Sequence, residues 1–187
     1  MRPAVTRTNL YSYLVTRHTG RAVRLSIEQR LAEYDHHVLT VLDFGNVPLI
    51  DFSCADEVVA KLVRRTSADE ERVGERFFLL GGLDEHHRDP IESALRRQAL
   101  AVAAQDVDGH PVLLGEIERL TETVWRAVWQ VGPAEATEVA SYLGLDEDLV
   151  RPCLRELERR RLLLREGDSY VSFRWALRET APARPEQ

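Results

Sequence analysis

The chain has 187 residues, 44% of them hydrophobic and 30% charged, with a formal net charge of −6. That length suits one domain or two small ones, and the net acidity excludes a surface coated in positive charge for nucleic acid while leaving room for a local basic face. No apolar run approaches about 18 residues, which excludes a transmembrane helix. The N-terminus MRPAVTRTNLYSYLV lacks a signal-peptide core, so the cytoplasm is the default compartment and no membrane partner is expected.

In chain order, Asn9 to Thr16 alternates and predicts a strand, broken by His18-Thr19-Gly20. Ala22, Val23, Leu25, Ile27, Leu31 and Tyr34 predict a helix ending before His36. Val38, Leu39, Val41, Leu42 and Phe44 are too densely apolar for a half-exposed strand and predict a central one. Gly45-Asn46 signals a turn, Pro48 follows, and a short strand leads to Asp51. From Asp51-Phe52-Ser53-Cys54-Ala55-Asp56-Glu57 a helix opens, with Val58, Val59, Leu62 and Val63 at helical spacing. Thr66 to Gly74 reads as a solvated loop, and Phe77 to Leu80 as a strand closed by Gly81-Gly82. Ile91, Ala94, Leu95 and Leu100 mark a helix with Pro90 near its first turn. Ala101 to Gln105 and Val112 to Leu114 form a last pair of strands around Asp106-Val107-Asp108-Gly109. Residues 1–115 therefore predict an α/β domain with a sheet of about four strands.

The pattern changes near Glu116. Ile117, Leu120, Val124 and Val128 predict one helix, ended by Gly132-Pro133. Ala136, Val139, Ala140 and Leu143 predict a second, with Gly144 as the tight turn, and Leu149, Val150, Cys153, Leu154 and Leu157 a third. Leu162 to Leu164 and Tyr170 to Phe173 flank Arg165-Glu166-Gly167-Asp168-Ser169 as a hairpin. The segment 116–178 is similar in spacing to winged-helix (α+β) modules of bacterial regulators. Residues 179–187, with Pro182 and Pro185, are expected to be a disordered tail.

The stretch LDFGNV-x(3)-DFSCADE resembles the STAS superfamily of anti-sigma-factor antagonists, in which a strand ends in an Asp-Ser-Ser-Gly turn before a helix. Asp51 and Ser53 match its first and third positions, while Phe52 and Cys54 depart from it. A closer likeness is to the STAS-like family of uncharacterised bacterial domains, marked by LDF, a valine and a Ser-Phe-Ala-Asp-Glu run. Here that run is Ser53-Cys54-Ala55-Asp56-Glu57, and the likeness covers residues 8–115. The resemblance implies a protein-binding switch paired with a kinase of the histidine-kinase ATPase type. In it Ser53 would be the phosphoacceptor, Asp51 would orient the turn, and Asp56 and Glu57 would contact the partner.

Each of these residues also has a purely structural reading. Ser53 and Asp56 fit a capping box ahead of an apolar helix. A phosphate on Ser53 would meet repulsion from Asp56 and Glu57. Asp51 reads as a turn or cap residue, since no second catalytic group can be assigned to it by spacing. His36-His37 and His86-His87 read as solvated surface pairs, and Gly81-Gly82 as a plain turn. Cys54 and Cys153, the only cysteines, imply neither disulfide nor metal site. No cofactor, metal or catalytic constellation is implied.

In the third helix of the second segment, Arg151, Arg155 and Arg159 recur on the side opposite its apolar residues and, with Arg165 of the hairpin, could touch double-stranded DNA. Asp146, Glu147 and Asp148 at the helix start and Glu156 and Glu158 along it favour protein contact instead, and Pro152 calls for a helix that begins late. Trp125 and Trp129 lie one turn apart. They pack either against the α/β domain or across a homodimer.

Overall fold

The computed structural model describes residues 3–10, 13–68 and 74–180. Five strands form one sheet in the order β1 (Ala4–Asn9), β2 (Val38–Asp43), β3 (Arg76–Leu83), β4 (Ala101–Asp106), β5 (Pro111–Gly115). The first four are parallel, and β5 returns antiparallel to β4. The crossovers are α1 (Arg17–Leu31), the run α2 (Phe52–Ala55), a π-helical turn (Asp56–Ala60) and α3 (Lys61–Ala68), and α4 (Glu85–Arg96).

Each crossover steps one strand in the same direction. Right-handed crossovers that never reverse must all lie on one side of the sheet. Accordingly Ile27 and Leu31 of α1, Val58 and Leu62 of the second run, and Ile91 and Leu95 of α4 share a core with Val38, Leu42, Phe78, Leu80 and Val102. The alternate residues Leu39, Val41, Phe77, Leu79, Ala101 and Ala103 face the other way. No crossover helix reaches them, yet parallel strands are stable only when both faces are covered.

The remainder of the chain supplies that cover. It comprises α5 (Arg119–Val131), α6 (Ala136–Leu143), α7 (Glu147–Arg159), a hairpin of β6 (Leu164–Glu166) and β7 (Ser169–Val171), and α8 (Phe173–Thr180). Trp125, Val128, Trp129, Leu162, Leu163 and Phe173 join the second sheet face in a single hydrophobic cluster. Phe173 meets Phe77 edge-on with ring centroids 5.9 Å apart. The density of β2 follows: it pairs with strands on both sides and has helices or hairpin over both faces.

Several elements differ from the sequence expectation. The sheet has five strands. The first strand is Ala4–Asn9, an edge strand of mixed burial and therefore without clear alternation. Of the expected strand at Asn9 to Thr16, Tyr11 and Ser12 lie outside the described residues, and Leu14 makes only an isolated bridge to Ile50, which also replaces the short strand before Asp51. His18-Thr19-Gly20 begins α1 instead of breaking the chain, because Thr16 caps it by accepting from the Thr19 N–H at 3.2 Å. Gly81-Gly82 lies inside β3. Pro90 and Pro152 each sit in the second turn of their helices, since α4 starts at Glu85 and α7 at Glu147. Phe173 starts a helix that continues to Thr180, and the rest of the expected tail and most of the expected 66–74 loop lie outside the described residues.

Trp125 and Trp129 are 0% and 2% exposed, their rings 5.1 Å apart, and the Trp125 Nε1–H donates to the Leu162 carbonyl at 3.2 Å. They seal the sheet within one chain, so a homodimer through this pair is corrected to an intramolecular core. Trp125→Ala is expected to cost about 3–5 kcal/mol of unfolding free energy by urea denaturation. A cost under about 1 kcal/mol would contradict this placement.

Candidate functional site

The helix after β2 opens on Asp51, whose backbone is extended and whose Oδ1 accepts from the Cys54 N–H at 2.8 Å. Asp51 is therefore the N-cap. The Ser53–Asp56 capping box is corrected: Ser53 lies two residues past the N-cap, inside the helix, and cannot cap it. Its side chain is half-buried in the first turn, neither lost in the core nor fully presented. The neighbouring Cys54 is buried and donates its thiol to the Thr16 carbonyl at 2.8 Å; burial, with the charge of Asp51, pushes that thiol above its ordinary pKa. It is a structural cysteine by this chemistry.

Asp56 and Glu57 start the π-helical turn, an arrangement that inserts one residue into a helix and re-aims its side chains. Here the re-aimed side chain is Glu57, 3% exposed and turned toward α1. Arg24 donates Nε to Glu57 Oε2 at 3.3 Å and Nη1 to Glu28 at 2.7 Å. Arg17 reaches Glu57 at 3.1 Å and Asp56 at 3.2 Å. Lys61, the chain's single lysine, bridges both: it bonds Glu57 closely and lies 3.4 Å from Asp56. Gln98, from the loop before β4, donates to Asp56 Oδ1 at 2.7 Å. Gly20 lets the helices approach closely enough for this, since a Cβ there would lie 3.0 Å from Cys54 Cα and Glu57 Cβ.

Burial alone would disfavour the Glu57 carboxylate, but hydrogen bonds and charge from Lys61 and Arg24 overcome it and hold its pKa below the usual glutamate value of 4.5. The expectation that Asp56 and Glu57 meet a partner is redirected: Glu57 is inside, and both carboxylates are committed to internal cations. The i,i+4 spacings of Arg24 with Glu28 and Glu57 with Lys61 were legible as helix pairs. Nothing in periodicity pairs one helix with the other.

Two further residues escaped sequence reasoning. His87 is buried: Nδ1 accepts from the Asp84 N–H at 3.2 Å, which leaves Nε2–H to donate to the Val47 carbonyl at 2.6 Å. It ties α4 to the loop after β2 and is no solvated histidine, whereas His86 is exposed. Arg76, also buried, donates to the carbonyls of Leu31, Tyr34 and His36 at 3.3, 2.5 and 2.6 Å, closing the C-terminal end of α1 over the sheet.

The four arginines assigned to DNA lie on the opposite face of the sheet from Ser53. Arg151 pairs with Glu147, and Arg159 with Glu156 at 2.8 Å. Arg165 donates to Tyr170 Oη at 2.6 Å, with Glu158 and Asp168 at 3.6 and 3.7 Å. Arg155 alone of the four makes no ion pair among the described residues. The N-terminal end of α7 carries Asp146, Glu147 and Asp148. Beside them Tyr142, Leu145 and Leu149 are 59%, 36% and 54% exposed. Among the described residues, Asp106, Asp108 and His110 form a grouping of possible metal ligands. Asp106 Oδ1 already accepts from the Asp108 and His110 N–H groups, so it serves the β4–β5 turn.

No protein-family model and no curated protein matches the chain. No helix among the described residues is long and apolar enough to cross a membrane.

The folded Glu57 carboxyl has the lower pKa, so its stabilisation is present above the unfolded value near 4.5 and is lost as pH falls through the folded value. Glu57→Gln is expected to cost about 1.5–3 kcal/mol at neutral pH by removing the carboxylate shared by Arg24, Arg17 and Lys61, with Arg24 keeping only Glu28, and to flatten the acid side of the stability profile. Parental stability at pH 7 would contradict this assignment.

Proposed function

We propose that the chain is a non-enzymatic protein-binding regulator, a STAS-like domain whose second layer is a winged-helix module used for protein contact. The observation that carries this reading is the state of α7 and its surroundings. Arg151, Arg159 and Arg165 are neutralised by carboxylates, the end that would enter a major groove is acidic, and apolar Tyr142, Leu145 and Leu149 stand exposed at the α6–α7 corner. Phosphate contact needs unpaired cations, whereas an apolar patch with a charged rim is the anatomy of a protein interface.

Within this reading Ser53 is the phosphoacceptor for a kinase of the histidine-kinase ATPase type, with Asp51 fixing its turn. A polar route links that helix to α7. Asp56 accepts from Gln98, the next residue Ala99 has a strained φ of +53°, and its carbonyl accepts from Arg160 Nη2 at 2.8 Å. Arg160 Nη1 also donates to the Glu116 carbonyl at 2.7 Å, at the entry to α5. Charge added at Ser53 would compete for Arg17 and loosen Asp56, and through Gln98 bias the position of α7.

The competing reading is the DNA one, for which Arg155 alone of the four arginines is without an ion pair among the described residues. A labelled generic duplex is expected to show no binding tighter than about 10⁻⁴ M at low salt. Binding that falls steeply with salt and weakens in Arg155→Ala would replace protein contact with DNA contact. For the coupling, Ser53→Glu is expected to speed amide hydrogen exchange at Leu100 and Glu116, and Arg160→Ala to reproduce that change. Unaltered exchange at both amides would sink the route.

A further inference from the structure

Beside the Glu57 network the outer surfaces of α1 and α3 border an open cavity of about 270 Å³ lined by Arg21, Arg24, Glu57, Lys61, Arg64 and Arg65. Five cations and one carboxylate line it, with Glu28 and Asp56 paired beside it to Arg24, Arg65 and Lys61, so cations still outnumber these carboxylates in a chain whose net charge is −6. Most of the donors are uncommitted. Arg21 and Arg64 are exposed and make no ion pair among the described residues. Arg65 spends only Nη1, on Glu28 at 3.3 Å, and is 59% exposed at its side chain. Arg24 spends Nε and Nη1, leaving Nη2. Glu57, shared by Arg24, Arg17 and Lys61, and Glu28, shared by Arg24 and Arg65, offset part of this charge and leave Arg21 and Arg64 with no carboxylate partner among the described residues.

Gathering like charges this closely is unfavourable unless an anion is received, and arginine forks match phosphate oxygens in pairs. We infer that this cavity binds a small ligand carrying one or two phosphate groups, held by Arg21, Arg64 and Arg65 over a floor of Arg24 and Lys61. The shape favours a small ligand over a nucleic-acid backbone. The cations surround a concavity instead of lining a stripe, and Glu28 and Glu57 interrupt any longer basic track. The volume lies just below the range of about 300–1,000 Å³ usual for drug-sized ligands, which leaves room only for a compact phosphate or diphosphate. The site is separate from the α6–α7 surface and stands whether or not that surface binds protein.

The test uses the full-length chain and inorganic pyrophosphate, titrated by calorimetry at constant ionic strength, with sodium chloride as the control salt. One-to-one binding is expected, weakened at least about tenfold in the Arg21→Gln, Arg64→Gln double variant. Both side chains are exposed and make no ion pair among the described residues, so the variant should keep the parental urea midpoint. Should it not fold, Arg64→Gln alone serves for the same comparison. Absence of binding beyond that of chloride, or equal affinity in the variant, overturns the proposal. So does a generic duplex binding through these arginines while pyrophosphate does not.

Discussion

A parallel sheet wound in one direction has an uncovered face, and the rest of this structure depends on how that face is closed. Strands β1 to β4 advance without reversal, so α1, α3 and α4 all stand on one side. The six side chains from Leu39 to Ala103 on the other side would meet water in a chain ending at residue 115. Burying them against Trp125, Trp129 and Phe173 makes the C-terminal segment a structural layer, joined to the sheet by one continuous cluster. A layer whose inner surface is spent in this way leaves its outer surface, including Tyr142, Leu145 and Leu149 at the α6–α7 corner, exposed.

The same architecture separates the two sequence-predicted sites. Ser53 and the Glu57 hub belong to the helical side, Arg151, Arg155 and Arg159 to the far layer. The packed sheet lies between them, and a run of hydrogen bonds passes around the start of β4, through Gln98, Ala99 and Arg160. The π-helical turn matters here because it points Glu57 inward while Asp56 stays half-buried against Gln98. One carboxylate fixes α1 to the following helix; the other meets the loop that leads to the second layer.

Much of the fold could be read from local pattern. The dense run of β2, the Gly45-Asn46 turn, the β4–β5 hairpin and the three helices after Glu116 all announce themselves through periodicity or turn residues. Edge strand β1, Ala-Val-Thr-Arg-Thr-Asn, is half solvated and carries no alternation to detect. Gly20 looked like a breaker because its reason for being in a helix, contact with Cys54 and Glu57, is tertiary. The site was less legible for the same cause. Asp51, Ser53, Asp56 and Glu57 were found as a cluster, but which of them caps, faces inward or stays accessible depends on Arg24, Lys61 and Gln98 arriving from other elements. Buried His87 and Arg76 are satisfied by backbone carbonyls distant in sequence, and no spacing rule reveals such partners.

All three tryptophans, Trp125, Trp129 and Trp175, lie in the C-terminal layer, so their fluorescence reports that layer alone. Amide hydrogen exchange in β2 and β3 reports the sheet. Followed together through a guanidinium titration of the whole chain, the two signals should be lost in one coincident transition, because the second face of the sheet has no cover but the C-terminal layer. Tryptophan fluorescence that reaches its unfolded value while β2 and β3 amides remain protected would contradict the account.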